Sequence, residues 1–416
     1  MKKNNEVELF GLCLVLGIGT VVAGGDGVQV LGYGLSTLGA SMLGFSLINN
    51  ANPYNNLFRA LKLEINDRVP KFLERKETNY GYCLTFRLLA GMSTDDFEKK
   101  KLAIEQHLNR KIEITYNNWR IFIKVYEKQL EELIPYEFSK CKGILEFNIG
   151  KVLGDKTLNL DLEKAVHLLI AGETGSGKST LVRSIITNIV LSRRKVSLHL
   201  IDLKNGAEFN LFRKSNIVKT FSRNIDEAEV VLENLIEEVN KRYDLFFEND
   251  VVDIREYNKL KNIKKLDYQI CIIDEFADLQ NEKGSISSVE VLAAKARACG
   301  VHLIISTQRP DSKILNGRIK ANIPCVIGLK TMNSLNSRII IDEDGLEKLR
   351  GRGHGLLRYG NLTEFQSMFL EVVKARELIK HTYIEKEIKR EVKEEIGKLD
   401  NLDFIKDLGV DIDDSN

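Results

Sequence analysis

The chain has 416 residues, of which 43% are hydrophobic and 29% are charged, and its formal net charge of +2 means that any nucleic-acid-binding surface has to be local. This length allows one large or two modest domains with hydrophobic cores, and a content of only 5 prolines excludes a low-complexity chain. The 6 cysteines are scattered without a C-x-x-C pair, which argues for a reducing compartment and against a disulfide framework or a zinc site.

The first fifty residues predict a two-helix transmembrane hairpin. Two charge-free apolar runs, 9–23 and 28–48, flank a glycine-rich turn at 24–27, and the second run is long enough to cross ~30 Å of hydrocarbon. Lys2 and Arg59 lie on the two flanks, so the positive-inside rule places both termini in the cytoplasm of a protein held in the cell membrane. A signal peptide and a buried core hairpin are the alternatives. A signal peptide has one apolar run, and long glycine-rich segments fit a core hairpin poorly.

A polar linker and a small domain follow the hairpin. Residues 51–77 predict a juxtamembrane linker, and residues 78–135 predict a small α/β accessory module. In this module a strand over 80–87 precedes a helix over 93–109, and two alternating segments around 117–118 predict a β-hairpin. These residues contain no catalytic constellation, so we expect a positioning or oligomer-contact role.

The next segment carries a phosphate-binding loop. The pattern G-x-x-x-x-G-K-S ends at Ser179, follows the apolar run 166–170 and precedes a segment with helical spacing. Glycines let successive N–H groups point at phosphate oxygens, Lys178 can reach the β- and γ-phosphates, and Ser179 can offer its hydroxyl to Mg²⁺. A chance glycine-rich turn is the alternative, which this strand–loop–helix context disfavours. The residues predicted to contact ATP are Gly172, Glu173, Thr174, Gly175, Ser176, Gly177, Lys178, Ser179 and Thr180.

Two further apolar strands end in polar side chains that suit ATP hydrolysis. Asp274 follows one strand and can join the Mg²⁺ shell with Ser179, while the adjacent Glu275 can polarise the attacking water. Gln308 follows the strand 301–306 and can sense the γ-phosphate, because functional groups gather at the carboxyl ends of parallel strands. A loop-capping role is the alternative for Gln308. The alternating β and α units predict an α/β ATP hydrolase with a mostly parallel sheet.

The last part of the chain changes in composition. Residues 354–360 and 364–370 predict a terminal β-hairpin, and residues beyond 371 predict a charged exposed helix with a disordered acidic tail. The predicted divisions of the whole chain are the transmembrane hairpin, the linker, the accessory module, the ATPase motor domain and the charged tail, at 1–50, 51–77, 78–135, 136–371 and 372–416.

These motifs, in this order, resemble the FtsK/SpoIIIE family of DNA translocases. The resemblance rests on the phosphate loop, on Ile-Asp-Glu-Phe-Ala-Asp-Leu at 273–279, and on the segment 294–310 that ends in Thr-Gln-Arg-Pro. It extends from roughly residue 145 to residue 370, about half of the chain. It implies a RecA-like core, a homo-hexameric ring with ATP bound between subunits, and single- or double-stranded DNA in the pore.

The resemblance also implies basic residues that act outside their own subunit. An arginine is expected to reach the ATP of the neighbouring subunit; Arg338 is the first candidate, Arg297 the second, and Arg309 stays open. Pore loops of such rings bind DNA phosphates without reading bases. The candidates for that contact follow the Gln308 strand and are Lys313, Arg318 and Lys320. Solvated surface charge is the alternative for these three residues.

The plan of the chain is similar to the TcpA-like conjugative coupling proteins of Gram-positive mobile elements. One short hairpin precedes the motor domain, and the tail after Leu370 is too short and polar for the winged-helix domain of chromosome-segregating members. We therefore expect a membrane-anchored, ATP-driven DNA translocase that couples a relaxase-bound DNA to a secretion channel. The alternatives are a DNA segregation motor, an ATPase of a protein secretion system, and a non-hydrolysing scaffold, against which Lys178, Asp274 and Glu275 argue.

Overall fold

A computed structural model describes residues 53–384, apart from residues 193, 280–282, 312–314 and 316. The predicted membrane hairpin and most of the predicted charged tail lie outside these residues. Within the described part, no helix combines the length and the apolar character needed to cross a membrane. The chain divides into two compact units, with the boundary between Gln129 and Leu130.

The first unit contains a four-stranded antiparallel sheet of order β1-β2-β4-β3. Its elements in chain order are α1 (Asn55–Ala60), β1 (Lys71–Thr78), β2 (Gly81–Arg87), α2 (Thr94–Glu98), α3 (Lys101–Leu108), β3 (Lys111–Asn117) and β4 (Arg120–Tyr126). Asn118 and Trp119 join β3 to β4, both with positive φ, which is the geometry of a tight two-residue hairpin turn. The β-hairpin predicted around 117–118 is therefore present.

Aromatic side chains fill the core of the first unit. The rings of Phe58 and Phe86 meet edge to face with centroids 4.9 Å apart, and Phe97 packs against Phe58 in the same way. Phe58 belongs to α1, so the segment predicted as a linker contributes to this core. The single helix predicted over 93–109 is divided into α2 and α3.

The second unit is built on a ten-stranded sheet. Its elements in chain order are β5 (Ile134–Pro135), β6 (Glu146–Val152), β7 (Lys156–Asp161), α4 (Leu162–Ala165), β8 (Leu168–Ala171), α5 (Lys178–Leu191), β9 (Val196–Ile201), β10 (Val218–Ser222), α6 (Ile225–Glu248), α7 (Ile254–Tyr257), β11 (Tyr268–Ile273), α8 (Lys283–Lys295), β12 (Val301–Thr307), α9 (Gly317–Asn322), β13 (Cys325–Leu329), α10 (Ser334–Ile341), β14 (His354–Tyr359), β15 (Asn361–Gln366), β16 (Met368–Phe369) and α11 (Val372–Ile379). Strands β5 and β16 form a separate two-stranded pair.

The large sheet is mixed rather than mostly parallel. Its order is β10-β9-β11-β12-β8-β13-β14-β15-β6-β7, and the strands from β10 to β13 are parallel. From β13 onward each neighbouring pair is antiparallel. The reason lies in the connections, because β14 and β15 are joined only by Gly360 and a parallel pair needs a long crossover. The α/β class and the terminal hairpin are confirmed, and the sheet is corrected to a mixed one.

The parallel strands bring distant segments to one edge of the sheet. Strands β8 and β12 are buried along their whole length, and β11 is buried at every position except Gln269, which explains their largely apolar sequences. In the register, Ala171 pairs with Thr307, and Ile273 pairs with both Ile201 and Ile305. The residues that follow these strands therefore emerge together at their carboxyl ends.

Candidate active site

The phosphate-binding loop connects β8 to α5 at this edge. Gly175 and Gly177 have φ values of 80° and 101°, a region that residues with a Cβ atom rarely adopt. Gly177 is also the N-cap of α5, so the unpaired N–H groups of the first helical turn face the loop. The sequence therefore folds into the anion-binding geometry that the motif predicts.

Lys178 is hydrogen-bonded to Asp274, which follows β11, and to Ser306 of β12. Its Nζ donates to Asp274 Oδ1 at 3.1 Å, to the Asp274 carbonyl oxygen at 3.0 Å and to Ser306 Oγ at 3.1 Å. Lys178 is 3% exposed and Asp274 is fully buried. The predicted loop lysine and the predicted metal ligand thus form a buried ion pair.

A second lysine, which the sequence reasoning missed, completes this cluster. Lys204 Nζ lies 3.2 Å from Asp274 Oδ2 and 3.6 Å from Glu275 Oε2. Burial opposes its charge, but the carboxylates of Asp274 and Glu275 outweigh that effect and raise the pKa of Lys204. Lys204 comes three residues after β9, so the strand-end argument that identified Asp274 and Gln308 could have identified it as well.

The predicted general base is fixed by the end of β12. Thr307 Oγ1 donates to Glu275 Oε1 at 2.7 Å, and the Gln308 N–H donates to both Glu275 oxygens at 3.1 Å. Glu275 is 4% exposed. The Gln308 side chain accepts a hydrogen bond of 2.9 Å from Thr174 Oγ1 of the phosphate loop. Glu275 and the phosphate loop are therefore connected through Gln308.

A cavity of about 590 Å³ opens over the phosphate loop. Seven of the nine predicted loop residues line it, while Gly172 and Ser176 do not. Leu133 and Phe369, whose side chains are large, apolar and partly exposed, also line it. The cavity thus combines the phosphate-binding loop with apolar side chains.

The oxygen donors at the loop fit a magnesium ion. The hydroxyl of Ser179 and the carboxylate of Asp274 are hard ligands, the type that Mg²⁺ takes in nucleotide sites, where phosphates and water complete the shell. Ser179 also lines the cavity, and Asp274 lies directly after β11. Ser179 and Asp274 would hold the ion when it accompanies a nucleotide.

The loop is also bound by two segments that the sequence reasoning did not include. Glu173 accepts hydrogen bonds from the Met332 N–H at 2.7 Å and from Asn336 Nδ2 at 3.1 Å, next to the start of α10. The Gly353 N–H donates to the Ser176 carbonyl oxygen at 2.7 Å. Arg352, with a φ of 53°, lines the cavity beside Gly353. In the sequence, the two glycines that flank Arg352 are the signal that could have predicted a turn here.

The candidate arginines occupy different places. Arg338 lies on α10 and makes a two-pronged ion pair with Asp344, with both N–O distances 2.8 Å. Arg297 is exposed and lines a cavity with Tyr268 and His302, at the amino ends of β11 and β12 and so away from its own phosphate loop. Arg309 follows Gln308, is exposed, and forms no ion pair with any residue that the structure describes.

The basic residues predicted to contact DNA differ in how closely they are bound by partners within the chain. Arg318 is exposed and lies 3.6 Å from Glu290. Lys320 donates to the Ile339 carbonyl oxygen at 2.8 Å and to Asp342 Oδ1 at 2.6 Å, so a DNA phosphate would have to compete with Asp342. Lys313 lies outside the described residues.

Comparison with known proteins identifies this unit. Residues 130–312 match the FtsK/SpoIIIE family. The DNA translocase FtsK of Staphylococcus epidermidis is 34% identical over 282 residues, which cover 64% of this chain and 34% of that protein. The DNA translocase FtsK of Clostridium acetobutylicum is 36% identical over 284 residues, which cover 64% and 37%. The chain thus spans about a third of the length of the curated relatives it matches.

Solved structures give the same fold. The pCW3 conjugation coupling protein TcpA, solved as a monomer with ATPγS, has a TM-score of 0.57 and 24% identity, over 79% of this chain and 98% of that one. The cytoplasmic domain of the type VII secretion ATPase EccC of Thermomonospora curvata has a TM-score of 0.53 and 20% identity, over 61% and 33%. The predicted resemblance to the FtsK/SpoIIIE family is confirmed over residues 130–312, which match that family.

Proposed function

We propose that this protein is an ATP-driven DNA translocase that is anchored in the cell membrane and acts as a coupling protein in conjugative DNA transfer. The observation that carries the proposal is the cluster of Lys178, Asp274, Glu275 and Gln308 at one sheet edge of an FtsK/SpoIIIE-family domain. The matched relatives of that domain are named DNA translocases. A scaffold without hydrolysis would not need a buried, hydrogen-bonded Glu275.

The proposal that the cavity binds ATP rests on the two kinds of residue that line it, those of the phosphate loop and the apolar side chains. The phosphates lie in the loop, where Lys178 exchanges its bonds to Asp274 for bonds to the β- and γ-phosphates. Phe369 and Leu133 supply the apolar surface against which the adenine base packs. Mg²⁺, when bound, neutralises phosphate charge, and Ser179 and Asp274 hold it.

Hydrolysis requires a water molecule next to the γ-phosphate. Glu275 orients this water and accepts its proton, while Thr307 and Gln308 fix the carboxylate by the bonds described above. Gln308 also joins Thr174 of the loop, so it links the base to the γ-phosphate side of the site. Positioning of this kind is the main contribution that proteins make to phosphoryl transfer.

A homo-hexameric ring completes the proposal. In such a ring an arginine of one subunit neutralises charge on the ATP of the next, and Arg338 and Arg297 are the leading candidates because both side chains are exposed. DNA passes through the pore and contacts Arg318 and other basic residues after β12 through its phosphates.

The conjugative role is favoured over the alternatives by the extent of the fold similarity. The likeness to the coupling protein TcpA covers 79% of this chain, and the likeness to EccC covers 61%. A relaxase and components of a secretion channel are the partners that this role requires. A segregation motor and a protein-secretion ATPase are the competing functions, and both would use the same catalytic site.

ATPase assays of the full-length protein in detergent test the function. We expect Mg²⁺-dependent hydrolysis that DNA stimulates, and the Lys178→Ala variant should lose it because the loop then has no side-chain charge to place on the β- and γ-phosphates. Lys241→Ala is the matched control, since Lys241 forms only an exposed pair with Glu237. Hydrolysis that no DNA stimulates would contradict the translocase role and favour protein secretion.

A relaxase capture assay separates conjugation from segregation. The purified protein should retain a relaxase bound to its nicked DNA strand more strongly than the same strand alone at equal salt. Equal retention of both would contradict the coupling role, while leaving an ATP-driven DNA motor in place.

A further inference from the structure

Lys204 occupies an unusual position between the two acidic residues of the active site. Its Nζ is 3.2 Å from Asp274 Oδ2 and 3.6 Å from Glu275 Oε2. Asp274 Oδ1 is bound by Lys178 at 3.1 Å. Both oxygens of Asp274 therefore have a cationic partner within the chain. Two ammonium groups and two carboxylates make this cluster neutral overall.

The backbone fixes Lys204 in this place. Asp202, which is fully buried, accepts hydrogen bonds from the N–H groups of Lys204 at 3.2 Å and of Glu208 and Phe209 at 2.8 Å each. Gly206 has a φ of 80°, which turns the chain back within this loop. The loop after β9 is thus a built structure, and it directs Lys204 toward the end of β11.

We propose that Lys204 is a positioning residue that balances the charges of Asp274 and Glu275 in the nucleotide-free site, and that a divalent cation displaces it from Asp274. The inference rests on the proposed ATPase function. When ATP takes Lys178 away, Lys204 becomes the remaining cation on the two carboxylates. The arriving metal ion then needs the Asp274 oxygen that Lys204 holds, and two cations within a few ångströms repel each other.

This exchange links metal binding to the general base. Lys204 bridges Asp274 and Glu275, so its displacement removes the cationic partner of Glu275 Oε2 at the moment when Asp274 binds the metal ion. The Gln308 N–H still donates to Oε2, and Thr307 still donates to the other Glu275 oxygen. Glu275 Oε2 therefore exchanges its ammonium partner for the attacking water only in the metal-loaded site.

Manganese binding without nucleotide tests the displacement. The full-length wild type and the Lys204→Met variant are titrated with Mn²⁺, and free Mn²⁺ is measured by electron paramagnetic resonance. Loss of the competing charge should lower the dissociation constant at least about tenfold. Lys204→Arg, which keeps the charge, should bind Mn²⁺ like the wild type, and so should Lys241→Met. Adding Asp274→Asn to Lys204→Met should remove the gain.

The outcomes separate this inference from the proposed function. A folded Lys204→Met variant that binds Mn²⁺ no more tightly than the wild type overturns the inference, including the case in which neither binds detectably. Circular dichroism checks the fold, and Lys204→Gln serves in its place if the Met variant unfolds. Wild-type ATP binding is measured separately, because a wild type that binds no ATP contradicts the proposed function whatever the Mn²⁺ result.

Discussion

Replacing Gly177 by alanine should destabilise the second unit more than the same change at Gly175. Both glycines lie in the phosphate loop and both have positive φ. The left-handed backbone conformation therefore costs alanine about 1–2 kcal/mol at either position. An added Cβ at Gly175 meets nothing within 4 Å. At Gly177 it would lie 2.3 Å from the Gly353 nitrogen and 3.0 Å from the Arg352 carbonyl carbon. These are backbone atoms, which cannot rotate away.

The difference between the two variants measures the contact between the loop and the 351–353 turn. Moving the turn breaks the bond from the Gly353 N–H to the Ser176 carbonyl, worth about 1 kcal/mol, and overpacking adds about 1–3 kcal/mol. Alanine also lowers the conformational entropy of the unfolded chain, which offsets about 0.4–1 kcal/mol of the loss of stability in each variant. We therefore expect a loss of roughly 1 kcal/mol for Gly175→Ala and roughly 2–5.5 kcal/mol for Gly177→Ala.

Calorimetry of the nucleotide-free protein checks this expectation. For a unit of this size a loss of 1 kcal/mol lowers the melting temperature by about 2–4 °C. The melting temperature of the second unit should fall by a few degrees in Gly175→Ala and by roughly 5–20 °C in Gly177→Ala. Equal shifts in the two variants would refute the packing of the loop against the 351–353 turn.

Three further predictions concern the base, an apolar side chain of the cavity and a buried histidine. Glu275→Gln should lower kcat about 10²–10⁴-fold in steady-state assays and keep ATP binding, because the amide oxygen still accepts the bonds from β12; unchanged kcat would exclude Glu275 as the base. Phe369→Ala should raise the Kd for ATP and leave that for inorganic triphosphate unchanged, by calorimetric titration; equal losses would mean that Phe369 does not contact the nucleotide base. Burial lowers the pKa of His167 to about 3, and its neutral Nδ1 accepts the Leu303 N–H at 2.9 Å. The contribution of neutral His167 to the free energy of unfolding is therefore complete above pH 6.5 and is lost as the pH falls toward 3, at about 1.4 kcal/mol per pH unit. In denaturant titrations at several pH values, His167→Gln should make the free energy of unfolding less dependent on pH in this range. The control variant His381→Gln, at an exposed position, should leave that dependence unchanged.

The sequence was sufficient for those parts of the site that are local in the chain. The phosphate loop is a continuous motif, and Asp274 and Glu275 follow an apolar run whose length and β-branched residues mark it as a buried strand. The rule that functional groups gather at strand carboxyl ends then brought Gln308 to the same place. Each of these steps needed only the identity of a strand and the residue at its end.

Contacts that depend on which strands are neighbours could not be predicted in this way. Lys204 reaches Asp274 because β9 pairs with β11 in a register that aligns Ile201 with Ile273, and the sequence does not determine that register. The same limit applies to the antiparallel half of the sheet. The turn at Arg352 approaches the loop only after β14 has paired with β13, more than 25 residues earlier in the chain.

The bonds of the phosphate loop bear on the choice of the arginine that acts between subunits. Glu173 binds the start of α10, which carries Arg338, and Thr174 binds Gln308, which precedes Arg309. A nucleotide that alters the loop would therefore move Arg338 or Arg309 directly, through a single hydrogen-bonded step. Arg297 lies at the opposite ends of the strands, and in the part of the chain that the structure describes no hydrogen bond joins it to the loop. If Arg338 is the residue that reaches the next subunit in the proposed ring, the loop transmits the ATP state of one subunit to the catalytic site of its neighbour. The subunits of that ring would then hydrolyse ATP in sequence, whereas an intersubunit arginine at position 297 would leave each subunit to hydrolyse independently of its neighbour's loop.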